Sequence, residues 1–426
     1  MKKVLDIVLA ALLFVALVST LFVCVFVQRG RWEGAKDRSL FCPGIDFSMR
    51  MNEVDCLVDG VDPYDVWHRD VMKVPYFPHH HEELRDDEHY ARVNAYTPWE
   101  YSVIMPLLLL PRQLAWCIFY LSMIVCVGFL MFFSYKKGRR VGNVWDAVFV
   151  AVLPMLVVIH PLFTNLCVGN WTLHILLAIV GMSFFLNRGK EWQAGICWAF
   201  AMVKPQLALL LAVPLLWRCK WKVCFVAVSV CILASVPAMV LTGKTLAVLV
   251  REAPAASVNG FFGCGTLPYP ISRILPVEVG SGLGMLIGFL ICIALTWLVR
   301  KRSDWTYFML PAVVCSVCWT YAPQYSQLLG WLLLVCFLVE LLRHPRSPFL
   351  YILIPLLLLF VSRIYRCLYG VATIYGIRGL GWFRQTEELR RTIDSFNSSL
   401  TLVVAIVFCI WIARQDSKEK EVQHGK

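Results

Sequence analysis

Long apolar runs, each closed by a short cluster of basic residues, leave this chain few ways to fold. Met1-Lys2-Lys3 precedes a run from Val4 to Val27 that only Asp6 interrupts early. Gln113 to Tyr135 is apolar and ends at Lys136-Lys137-Gly138-Arg139-Arg140. A helix crossing a bilayer needs about 20 predominantly apolar residues, and these runs are that long. Only 16% of the 426 residues are charged, against about 25% in an ordinary soluble domain. A cytosolic enzyme, a disordered chain and a small disulfide scaffold are thereby excluded. The expected class is an all-α polytopic membrane protein, with its function in the polar interruptions.

The first run is too long for the apolar core of a signal peptide and reads as an uncleaved helix, N-terminus inside. Residues 28–111 form an acidic extracytoplasmic loop with juxtamembrane helices, the last being Tyr101 to Pro111, bounded by Pro106 and Pro111. Residues 112–222 make a transmembrane module. Gln113 to Tyr135 runs inward, Trp145 to His160 outward, and Trp171 to Leu186 back, with a turn at 161–170. Ala194 to Trp217 is apolar except for Lys204-Pro205-Gln206 at its middle, and basic residues flank both ends. Basic flanks favour the inner side, which predicts a hairpin of two half-helices with Lys204 near its tip. A single span also fits the bilayer thickness, but it would put Arg218, Lys220 and Lys222 outside. Residues 223–413 add helices at about 223–241, 283–299, 307–320, 328–342, 349–362 and 398–413, with outer loops at 242–282 and 363–397. Residues 414–426 are a cytoplasmic tail. The expectation is about twelve membrane segments, with both termini cytoplasmic.

The net charge of +12 hides a split: residues 28–100 carry 15 acids and 9 bases, and the rest of the chain is +18. Cytoplasmic loops account for such an excess in a membrane protein. No soluble basic module exists to bind nucleic acid, so the expected partner is the lipid bilayer. Most of the 17 cysteines lie in apolar runs, where Cys behaves as a small hydrophobe. Cys42 and Cys56 share a polar loop and could form a disulfide in an oxidising compartment. Loop 363–397 is rich in arginine, including Arg363, Arg366, Arg378, Arg384, Arg390 and Arg391. Either a span is misplaced and this loop is cytoplasmic, or it is an anion site at the outer surface. Arg suits phosphate, because its planar fork makes paired, charge-assisted hydrogen bonds.

Several polar elements occur in a telling order. Asp46-Phe47 opens the outer loop; Asp59-Gly60-Val61-Asp62-Pro63-Tyr64-Asp65 and Tyr96-Thr97-Pro98 follow. Gly169-Asn170, Ala194-Gly195 and Lys204-Pro205-Gln206 come later. This order resembles glycosyltransferase family 87, membrane enzymes of the GT-C fold that use polyprenyl-phosphate sugars. The resemblance is clearest over residues 40–220. The chain departs from the family pattern at Tyr96-Thr97-Pro98, where Tyr-Pro-Pro is usual, and at Gly169-Asn170, where Gly-Gln is usual.

The resemblance implies a GT-C-like fold in the cytoplasmic membrane, with an extracytoplasmic active site. It implies an inverting transfer of one mannose- or arabinofuranose-like sugar from a polyprenyl-phosphate donor to a glycolipid, glycan or protein acceptor. Asp46 matches the acidic residue that GT-C enzymes carry just after the first span, and is the expected base. Lys204, Gln206, Arg363 and Arg366 are expected donor contacts, with His160, Asn170, Tyr64 and Tyr96 around them. Read as residues alone, Asp46 is one loop carboxylate among many, and Asp59, Asp62 and Asp65 cap turns and helix starts. His160 is either a functional ionisable group or a helix-terminal histidine bonded to backbone. Lys204 contacts phosphate or binds freed backbone carbonyls. His79-His80-His81, with Glu82, Glu83, Asp86, Asp87 and His89, could bind a divalent cation, although a solvated loop explains it equally. The rival from another class is a secondary transporter or lipid flippase, because broken helices suit transporters.

Overall fold

The computed structural model describes residues 45–60, 62–64, 96–260, 277–319, 324–345 and 399–415. Among these the chain is entirely helical, with no strand. Helix α1 (Ile45–Val58) is followed by a short α2 (Pro98–Ile104), a 3-10 turn at Met105–Leu109, and the long α3 (Arg112–Arg139). Then come α4 (Val144–Val157), α5 (Ile159–Val168), α6 (Thr172–Leu186) and α7 (Glu191–Ala201). A broken stretch holds α8 (Pro205–Ala208), a 3-10 turn at Leu209–Leu211 and α9 (Ala212–Trp217). The remainder is α10 (Trp221–Thr242), α11 (Leu246–Gly260), α12 (Val277–Leu298), α13 (Trp305–Trp319), a 3-10 turn at Gln324–Leu329, α14 (Gly330–Arg343) and α15 (Ser399–Gln415).

Among the described residues, three helices are long and apolar enough to cross a membrane: Arg112–Arg139, Trp221–Thr242 and Ser326–Arg343. Val144–Val157 and Pro161–Val168 pass the same test as a pair bent by 67°. The surface agrees with the composition. On α3, Leu114, Ile118, Leu121, Val125, Phe129 and Phe132 are all exposed. Their spacing of three and four puts them on one helix stripe. Helix α10 likewise exposes Phe225, Val228, Ile232, Leu233, Val236 and Val240. Apolar faces of this extent are costly in water and at home in lipid. Helix α13 is apolar all round and buried from Trp305 to Cys318, which makes it a central helix.

One end of the bundle is tied by helix termini. Asp304 receives Lys137 Nζ at 2.5 Å and Asn187 Nδ2 at 2.9 Å. The backbone N–H of Trp305 donates to Asn187 Oδ1 at 2.9 Å. Arg218 donates to the Arg302 and Ser303 carbonyls and stacks on Phe308. Lys220 pairs with Glu191 at 2.6 Å. Burial would raise the Asp304 carboxyl, but Lys137 and the hydrogen bonds outweigh it and hold the group at about 2.

The Glu191–Lys220 pair also fixes the path of the chain between them. Trp198 Nε1 donates to the Ala208 carbonyl at 3.0 Å, a contact that a continuous helix over that distance could not make. The chain therefore goes out along α7, turns near Lys204 and returns through α8 and α9. Pro205 removes one donor and resists helix on its N-terminal side. Carbonyls around the break find side-chain donors: Trp99 Nε1 on Met202 at 2.9 Å, Thr97 on Val203 at 3.2 Å, Trp319 Nε1 on Gln206 at 2.7 Å. Non-helical backbone in an apolar interior requires such partners.

Two expectations need correction. The turn expected at 161–170 is mostly helix α5. Pro161 sits in its first turn, where the missing N–H costs nothing, and Leu162 and Leu166 bury into the core. The loop expected at 242–282 contains α11. The expected span at 349–362 lies outside the described residues, as do the first run and loop 363–397. Cys56 is a buried free thiol; Cys42 lies outside the described residues.

Glycine sets the spacing of α7 and α10. A Cβ on Gly195 would fall 2.6 Å from Val226 Cβ and 3.0 Å from the Val223 carbonyl. Val226 is stiff at χ1 and cannot swing away. Gly195→Ala should therefore lower the thermal midpoint of the detergent-solubilised protein. The overpacking cost of about 1–3 kcal/mol exceeds the roughly 1 kcal/mol that Ala gains in helix propensity. An unchanged or raised midpoint would show that the two helices are not held at this distance.

Candidate functional site

At the end of α6 opposite the tied termini, four segments meet. Helix α6 has 15 residues, so the two ends lie about 22 Å apart along it. The corner between α5 and α6 is built by Gly169, which caps α5 at φ +70°. A Cβ there would meet Trp116 at 2.6 Å and Phe47 Cβ at 3.0 Å. Only glycine fits both the left-handed backbone and the close approach.

Asn170 follows, 1% exposed. Its Oδ1 accepts from the Thr172 backbone N–H at 3.1 Å, from the Thr172 hydroxyl at 2.8 Å and from Lys204 Nζ at 2.8 Å. Its Nδ2 donates to Asp46 Oδ2 at 2.5 Å. Asp46 is half-buried in the first turn of α1. The same helix carries Arg50, which donates to the Asp46 main-chain carbonyl at 3.2 Å and pairs with Glu53 at 3.1 Å. The Arg50 guanidinium lies 3.5 Å from the Tyr96 ring centroid, and Lys204 Nζ lies 5.3 Å from it on the same ring. Arg112 anchors α1 to α3 through Asn52 at 2.5 Å and Asp55 at 3.7 Å.

Glu100 completes the cluster from α2, the short helix that precedes α3. It is fully buried and accepts from Trp171 Nε1 at 2.5 Å. Burial pushes its carboxyl up to about 8, against the pull of Arg50. Burial thus favours the neutral form of Glu100 at neutral pH.

The structure thus brings together Asp46, Asn170, Lys204 and Tyr96 of the expected residues. Tyr64 is buried nearby and donates its hydroxyl to the Tyr96 carbonyl, a shaping contact. Asp62 caps that turn through the Tyr64 N–H at 2.8 Å and pairs with Lys244. Gln206 offers its main-chain carbonyl to Trp319 just past the hairpin tip. His160 lies in α5, with its side chain outside the described residues. Arg363, Arg366 and the histidine-rich stretch at 79–89 are also outside them. Among the described residues no group of three His, Cys, Asp or Glu side chains could hold a metal ion.

Arg50, Glu53 and Glu100 do not stand out on a first reading of the sequence. A signal for two of them is present: Asp46, Arg50 and Glu53 are spaced i, i+4, i+7, one face of a helix. Glu100 has no such signal, since nothing in its neighbours distinguishes a buried acid from a surface one.

The family model for glycosyltransferase family 87 matches residues 94–345. The chain belongs to glycosyltransferase family 87. The match spans Tyr96, Asn170, Lys204 and Gln206, and α1 with Asp46 precedes it. No curated protein and no solved structure matches the chain. The protein is a membrane glycosyltransferase, which sets aside the transporter and flippase readings.

The Glu100 carboxyl makes a testable link between this glycosyltransferase's site and its stability. Its folded value is raised above the unfolded value of about 4.3, so between these values the folded state keeps a proton that the unfolded state has lost. Stability then falls as pH rises from about 4.5 to 8. Thermal midpoints measured at pH 5 and pH 8 should drop for the wild type and drop less for Glu100→Gln. Equal slopes in the two proteins would mean that Glu100 is ionised in the fold.

Proposed function

We propose that this glycosyltransferase moves one mannose- or arabinofuranose-like sugar from a polyprenyl phosphate to a glycolipid, glycan or protein acceptor at the outer face of the cytoplasmic membrane. The observation that carries the reading is the Asp46 carboxylate, hydrogen-bonded to Asn170 and set beside the Lys204 and Arg50 cations. A carboxylate that takes a proton and a cation that holds a phosphate are the two groups such a transfer needs.

The chemistry follows from charge. As the acceptor hydroxyl oxygen attacks the anomeric carbon, Asp46 takes its proton. The bond from that carbon to the phosphate oxygen breaks on the opposite side, and configuration inverts. Polyprenyl phosphate departs as an anion, and Lys204 stabilises it in a site shielded from water, with Arg50 adding positive potential. Gln206, at the same hairpin tip, and Arg363 and Arg366, from loop 363–397, would add donor contacts. Asn170 holds base and cation in register, since its two ends touch both. The reading keeps about twelve membrane segments, the half-helices of the hairpin included, and a GT-C-like fold. Its outward side is supported by the tied end, where basic residues gather as they do on cytoplasmic faces. The site lies at the opposite end.

Two variants test the reading with polyprenyl-phosphate mannose and polyprenyl-phosphate arabinofuranose as donors. Asp46→Asn should cut kcat by roughly 10²–10⁴ with the thermal transition intact. Lys204→Met should weaken donor use through both KM and kcat. Near wild-type turnover by a folded Asp46→Asn protein would remove Asp46 from the chemistry.

A further inference from the structure

We propose that Asn165 reads hydroxyl groups of the transferred sugar, an assignment that rests on the functional reading above. Asn165 lies on α5 one turn before the glycine corner. Its main-chain carbonyl accepts from the Gly169 N–H at 3.0 Å and the Asn170 N–H at 3.3 Å. The backbone that presents Asn170 to Asp46 and Lys204 is therefore the backbone that fixes Asn165.

The Asn165 side chain is completely buried, and neither its Oδ1 nor its Nδ2 has a hydrogen-bond partner among the described residues. The side chain of Asn170, at the corner that follows, is engaged with Asp46 and Lys204. An amide left unpaired in an apolar interior is destabilising at both ends. A leucine would fill the same space without that cost. The amide is explained if a ligand completes it.

The pattern of empty groups selects the ligand. An amide offers acceptor sites on one side and donors on the other. Adjacent hydroxyls on a sugar ring answer both, one donating to Oδ1 and the next accepting from Nδ2. A phosphate presents acceptors only and leaves Oδ1 unpaired. An isoprenoid chain leaves both unpaired. Asn165 precedes the Asn170 corner by about one helical turn, roughly 5.4 Å along α5. The amide is enclosed, so admitting a sugar requires a neighbouring segment to shift; the 3-10 turn Gln324–Leu329 packs against α5 and α6. That turn carries the buried polar residues Ser326 and Gln327.

The test measures thermal shifts and binding of detergent-solubilised protein with polyprenyl phosphate, polyprenyl-phosphate mannose and polyprenyl-phosphate arabinofuranose. The wild type should bind one sugared lipid more tightly than the bare lipid phosphate. Asn165→Leu should lose that difference, roughly ten- to a hundredfold in affinity. It should still bind the bare lipid, and its own midpoint should match or exceed the wild type's. Asn165→Ala should lose the same preference. A sugar preference retained in both variants overturns the assignment alone. Unfolding of both variants also overturns it, because the amide would then be supporting the fold. If the wild type itself does not distinguish sugared from bare lipid, the functional reading fails and this inference fails with it.

Discussion

The site depends on a single carboxamide. Asn170 joins a carboxylate 124 residues away on one side to an ammonium 34 residues away on the other. Its polarity decides the arrangement. The N–H end must face Asp46 and the carbonyl end must face Lys204, because the reverse would oppose lone pairs to a carboxylate and a donor to a cation. The Thr172 hydroxyl and backbone N–H hold the same oxygen and lock the choice. The carboxylate and the ammonium are thus both held by one amide group. Direct contact would let them neutralise each other as an ion pair.

Side chains from elsewhere help to satisfy the hairpin tip. A broken helix in an apolar interior frees carbonyls. Here Trp99, Thr97 and Trp319 donate to three of them. Two of these donors come from the Tyr96-Thr97-Pro98-Trp99 stretch, which also supplies the Tyr96 ring beneath the cations. The segment entering α2 therefore does two things at once. It satisfies the backbone of the break, and it builds the electronegative face against which Arg50 and Lys204 rest.

Much of this was legible in the sequence, and the reasons differ by element. The long helices α3 and α10 follow from runs whose length matches the bilayer. The reversal at Lys204 follows from basic residues on both flanks of one apolar run, which helix propensity alone would have joined into one helix. Gly169-Asn170 and Lys204 could be singled out by their place in an ordered set of motifs. Helix α5 could not be anticipated, because Pro161 and Gly169 bracket it and both normally mark turns. Its helicity comes from burial of Leu162 and Leu166, a tertiary effect. Glu100 was equally hidden, since its meaning comes from Trp171 and Arg50, far away in the chain.

The two ends of the bundle divide the work by how they treat charge. At the tied end, Asp304 is ionised and satisfied by Lys137, Asn187 and local backbone, and the helix termini are fixed to one another. Paired polar contacts around Asp304 suit an end that holds geometry. At the other end the polar groups are shared or strained: Asn170 serves two partners of opposite sign, Glu100 is pressed toward its neutral form, and the Asn165 amide has no partner among the described residues. Such groups lower the stability of the fold around them, and they are ready to form stronger contacts with a polar ligand. The ion-paired end about 22 Å along α6 is what lets the opposite end stay incompletely satisfied without the helices drifting apart.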